Sequence, residues 1–138
     1  VRVAWPNASR SPLAIVDKRR ETRRRVRSDE HHRRRAGRKC ILIDDMTDSG
    51  GTLINAADAL LANGAKEVYA YISHGVLSNG AAENIDKSQL KELVITDTIQ
   101  ATDIVKKAKK IRTISLAPLI GEAIRRIAND ESISKMFD

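Results

Sequence analysis

Aromatic side chains are scarce: one Trp, two Tyr and one Phe, 3% of 138 residues. So little ring surface excludes recognition of bases or sugars by stacking and leaves an aliphatic, alanine-rich core. A single cysteine, Cys40, excludes an internal disulfide framework and fits a reducing compartment. One cysteine and three histidines cannot close a zinc site without carboxylates. No apolar run reaches the ~18 residues of a membrane-spanning helix, so no membrane partner is expected. No charged-then-apolar leader opens the chain, and a cytoplasmic location is the expectation. Val1 rather than Met stands first, as expected of a fragment. What is present, 41% hydrophobic and 31% charged residues, suits one domain with a real core.

The formal net charge of +7 is unevenly spread. Residues 1–39 carry 14 basic and 4 acidic side chains, a balance of +10, whereas residues 40–138 stand at −3. Arginine dominates 19–38, where Val26 is the one aliphatic side chain larger than alanine. Such a segment buries too little surface to offset its ordering entropy, so a mobile loop is expected there. Clustered arginines attract phosphate backbones, but no aromatics interleave them. The expected contact with nucleic acid is therefore nonspecific only.

Periodicity gives the architecture. Residues 13–17 (LAIVD), 40–44 (CILID), 67–72 (EVYAYI), 92–96 (ELVIT) and 112–116 (RTISL) read as strands. Helical spacing of Leu53, Ala56, Ala57, Leu60 and Leu61 predicts a helix over about 52–63, stopped at Asn63-Gly64. A short helix is expected from Ala81 to Ile85, and an amphipathic one over 118–129, opened by Pro118. Residues 104–110 (IVKKAKK) read as a solvated basic stretch, and residues 1–12 show no period. Strand–helix alternation predicts an α/β domain, its mainly parallel sheet flanked by helices.

The chemistry concentrates in Ile41–Thr52, I-L-I-D-D-M-T-D-S-G-G-T. A buried strand delivers Asp44 and Asp45 to its carboxyl end, where open α/β sheets bind ligands. Gly50 and Gly51 allow a tight turn and close approach of an oxyanion. The amides of Ser49 to Thr52 head a helix, a ready phosphate site, and the Ser49 and Thr52 hydroxyls add donors. Two adjacent carboxylates suit hydroxyls or a hard cation such as Mg²⁺. A phosphate cradle beside a hydroxyl and metal clamp matches a sugar phosphate. The alternative is a strand–turn–helix whose acids merely cap and solvate the junction. Neither a Walker motif nor a dinucleotide fingerprint is present.

This loop resembles the phosphoribosyl diphosphate motif of the type I phosphoribosyltransferase fold. Four more segments are similar to the C-terminal half of ribose-phosphate diphosphokinase in particular: P-L-A-I-V-D-K-R-R at 12–20, Y-A-Y-I-S-H-G-V-L-S-N-G-A-A-E-N-I at 69–85, E-L-V-I-T-D-T-I at 92–99 and I-S-L-A-P-L-I-G-E-A-I-R-R-I at 114–127. The resemblance implies that Asp44 and Asp45 hold the hydroxyls of ribose 5-phosphate, and through them any Mg²⁺. It implies that Asp48, Ser49, Gly50, Gly51 and Thr52 wrap the 5-phosphate. Lys18 and Arg20 match a catalytic loop that neutralises the diphosphoryl group leaving ATP. A homo-oligomer, or a hetero-oligomer with full-length synthetase, is the implied assembly. Residues 1–11 and 21–37 depart from the family's text, giving an atypical N-terminal segment and an Arg-rich loop at 19–38 within a domain of 12–138. Members are about twice this length, so a noncatalytic associated subunit and a phosphoribosyltransferase stand as alternatives.

Single residues have plainer readings. His31 and His32 sit in the arginine run as solvated residues, and His74 reads as a loop anchor. Cys40 reads as packing. Gly121 is expected to permit close helix packing.

Overall fold

The structure, a computed structural model, describes residues 2–4, 14–15 and 37–137. Its described strands form one six-stranded sheet in the order β2-β1-β3-β4-β5-β6. The strands are β1 (Arg2–Ala4), β2 (Ala14–Ile15), β3 (Lys39–Thr47), β4 (Glu67–Gly75), β5 (Glu92–Thr96) and β6 (Ile111–Ile114). Neighbours among β3 to β6 run parallel, while β1 pairs antiparallel with both β2 and β3. Helices α1 (Gly51–Ala62), α2 (Ala81–Lys87) and α3 (Asp103–Lys107) make the three crossovers; α4 (Ala117–Ala128) follows β6. The α/β class and the parallel sheet expected from the sequence are present.

Strand order explains where the core lies. From β3 to β6 the sheet grows in one direction, and right-handed crossovers then place α1, α2 and α3 on the same face. That face is packed: Leu53, Ala57 and Leu60 of α1 and Ile85 of α2 meet Leu42, Val68 and Leu93 of the sheet. Cys40 is fully buried in this cluster, as expected of a packing residue. The opposite face is open around Ile43, Tyr71 and Ile114, each about 40% exposed.

Several expectations need correction. Residues 2–4 form a strand although no period marks them, because the edge of β3 offers unpaired backbone groups. Residues 104–110 are not simply solvated. Asp103–Lys107 is helical, with Thr102 Oγ1 accepting from the Val105 amide and Val105 buried. β6 covers 111–114 rather than 112–116 and is largely exposed. Helix α4 is amphipathic, yet none of its residues is buried, and Ile124 and Ile127 are about 60% exposed. Gly121 does not mediate close packing, since a Cβ there would meet nothing within 4 Å. The 19–38 loop falls outside the described residues except for Gly37 and Arg38, and residues 1–11 fall outside except for β1.

Candidate phosphate-binding site

At the carboxyl end of β3 the chain turns through Asp48 to Gly50 into α1. Gly50 has φ 75°, in the left-handed region that L side chains resist. Gly51 is different: it is already the first residue of α1 and needs no special backbone. The intrahelical ladder opens with the Ile54 amide donating to Gly50 O at 3.0 Å. The amides before it, of Gly51 to Leu53, thus precede the first intrahelical partner. No side chain caps this helix, and its first turn carries no acid. Its positive dipole end faces the loop.

A cavity of about 180 Å³ lies here, lined by Asp44, Asp48, Ser49, Gly50 and Thr52 among others. The structure therefore brings together most of the residues singled out from the sequence. Asp45 stands outside this cavity. Successive residues of a strand point to opposite faces. Asp44 is half-buried and Asp45 exposed, its Oδ1 accepting from the Met46 amide at 2.9 Å. Lys18 and Arg20 lie outside the described residues. Among the described residues, no group of three or more His, Cys, Asp or Glu could hold a metal ion.

Sequence reasoning missed Ser78. The β4–α2 loop reaches across to the turn before α1, where Ser78 Oγ donates to Asp48 Oδ1. Asn79-Gly80, a turn-forming pair right after it, was the available signal. His74 acts as an anchor: its Nδ1 lies 2.8 Å from Thr98 Oγ1, and Thr98 and Thr96 both donate to Ser73 O. Two side-chain ion pairs tie neighbouring strands, Lys39 with Glu67 at 2.9 Å and Arg112 with Glu92 at 2.7 Å. Each pair holds its carboxyl below the ordinary range through the partner's hydrogen bond.

A parallel sheet ending in acid, glycine turn and uncapped helix defines an α/β domain with its cavity at the strand ends. Residues 34–138 match the model of the phosphoribosyl synthetase-associated domain. Ribose-phosphate pyrophosphokinase of Bradyrhizobium diazoefficiens is 60% identical over 128 residues, 93% of this chain and 40% of the relative. That of Maricaulis maris is 56% identical over 126 residues, 91% of this chain and 41% of the relative. A crystal structure of phosphoribosylpyrophosphate synthetase from Mycobacterium smegmatis superposes with a TM-score of 0.64 at 35% identity, covering 70% of this chain and 32% of that one. The chain belongs to the ribose-phosphate pyrophosphokinase family, through its phosphoribosyl synthetase-associated domain. It spans about 40% of the length of these curated relatives.

Proposed function

We propose that this chain is the sugar-phosphate-binding domain of a ribose-phosphate diphosphokinase, acting in nucleotide biosynthesis. The observation that carries this reading is the uncapped head of α1 beside Asp44, within a segment shared with pyrophosphokinase relatives. Asp48 to Thr52 wrap the 5-phosphate of ribose 5-phosphate with amides and hydroxyls, where the helix dipole favours a dianion. Asp44, from within the cavity, and Asp45 accept from the ribose hydroxyls. In a complete enzyme the anomeric hydroxyl attacks the β-phosphorus of ATP, the bond to the α-phosphate oxygen breaks, and AMP leaves. Lys18 and Arg20 neutralise the charge that develops. Mg²⁺ enters with the phosphates of ATP, as part of the substrate.

Calorimetric titration with ribose 5-phosphate, with and without Mg²⁺, tests the reading. One-to-one saturable binding, lost in Asp44→Ala, supports it. A folded chain that binds nothing overturns it.

A second reading, a noncatalytic associated subunit, rests on an uncovered apolar stripe. The exposed stripe of Leu119, Ile120, Ile124 and Ile127 on α4 is a surface for another copy or for full-length synthetase. AMP release from ATP, Mg²⁺ and ribose 5-phosphate by the chain alone decides for the enzyme. Among the described residues no helix is long and apolar enough to cross a membrane, and a cytoplasmic location is part of the proposal.

A further inference from the structure

We propose that Ser78 is a positioning residue for the phosphate loop, restraining the Asp48 carboxylate so that it does not cap the amides a phosphate would occupy. The inference takes its ligand from the sugar-phosphate reading above and its mechanism from the geometry alone. Asp48 lies two residues before the Gly50 N-cap and lines the same cavity as Thr52 and Leu53, where its carboxylate is an acceptor for the uncapped amides. Left to itself, an exposed carboxylate there competes with any incoming anion for the amides of Gly51 to Leu53. Ser78 Oγ donates to Asp48 Oδ1, and Asn79 Nδ2 donates in turn to Ser78 Oγ at 3.1 Å.

The loop that carries Ser78 is built to hold it there. The amides of Val76 and Leu77 both donate to the carbonyl of Thr47, the residue before Asp48, at 3.0 and 3.4 Å. Leu77 and Asn79, on either side of Ser78, both have φ 51°. A left-handed leucine is uncommon and persists only where its surroundings over-determine it. Leu77 is buried in the core cluster, which fixes the loop from below. Strain and burial thus converge on a side chain that bridges two loops.

Titration with ribose 5-phosphate is the test, beside thermal unfolding. Ser78→Ala should raise Kd about tenfold, the order expected for one hydrogen bond to a charged group, with little change in Tm. Ser78→Thr should restore affinity. In an Asp48→Ala background, Ser78→Ala should have no further effect, because the competing carboxylate is gone. Unchanged Kd in Ser78→Ala, or an equal loss in both backgrounds, overturns the inference while leaving the binding reading intact. If the wild type binds no ribose 5-phosphate, that reading fails, and hydrogen exchange of the free protein decides the inference. Ser78→Ala should then slow exchange of the Gly51 to Leu53 amides, and adding Asp48→Ala should reverse the slowing. Identical exchange rates in all three proteins overturn it.

Discussion

Replacing Gly50 and Gly51 by alanine, one at a time, separates backbone conformation from available space at the head of α1. At Gly50 a Cβ would stand 3.4 Å from Ile85 Cδ1 and 3.9 Å from Ala81 Cβ, ordinary contact distances. Crowding therefore contributes little. Conformation contributes more: φ is 75°, and an L residue there costs about 1–2 kcal/mol. Part of this is offset, by about 0.4–1 kcal/mol, because alanine also narrows the unfolded ensemble. The expected net loss for Gly50→Ala is about 1 kcal/mol. At Gly51 the backbone is helical, and a Cβ meets only Ser49 Oγ at 3.9 Å. Alanine is preferred to glycine in a helix by up to about 1 kcal/mol, less at a first position, so a gain of about 0.5 kcal/mol is expected. The two variants should then differ by about 1.5 kcal/mol, or roughly 6 °C in Tm for a domain of this size. Thermal and urea unfolding followed by far-UV circular dichroism measure this. Equal shifts in the two variants, or a larger loss in Gly51→Ala, would refute the assignment of the turn to Gly50.

Further outcomes follow from the core, the sheet edge and α4. A Cβ on Gly75 would stand 2.9 Å from both Cδ1 and Cγ2 of the buried Ile95, so Gly75→Ala should destabilise by about 1–3 kcal/mol in urea unfolding. Leu60→Ala, inside the core, should cost about 2–5 kcal/mol, whereas Ile124→Ala on the uncovered face of α4 should stay within about 0.5 kcal/mol. Arg125 and Arg126 hold the Glu122 carboxyl down from its ordinary 4.5 to about 2. Because the folded value lies below the unfolded one, this support for α4 is present above pH 4.5 and lost as pH falls toward 2. The helical signal should therefore drop more steeply with acid in the wild type than in Glu122→Gln over that window.

The parts legible in the sequence were those whose signal is local. CILID, EVYAYI and ELVIT are buried runs, and the Leu53–Leu60 spacing needs one helix face on one sheet face. The strand–turn–helix segment at 41–52 was legible because strand, acid, glycine and helix start are consecutive. What escaped depends on distant partners. β1 exists because the edge of β3 accepts it, which its own residues do not announce. Helix α3 is one turn and a little more, too short for a period, and rests on a threonine cap and one buried valine. The α4 stripe reports amphipathicity but not the surface that would cover it. Asp44 and Asp45, adjacent in sequence, part company because a strand alternates its faces. Ser78 meets Asp48 from thirty residues away, through a loop geometry that no spacing rule encodes.

The proposed function requires that a sugar phosphate be held at the head of α1. Backbone amide NMR of the chain titrated with ribose 5-phosphate tests it most directly. Saturable shifts concentrated at Asp44 and at Asp48 to Leu53 are expected, with a smaller response at Ser78. Saturable shifts that leave Asp48 to Leu53 unmoved, or none at all in a folded chain, would contradict it.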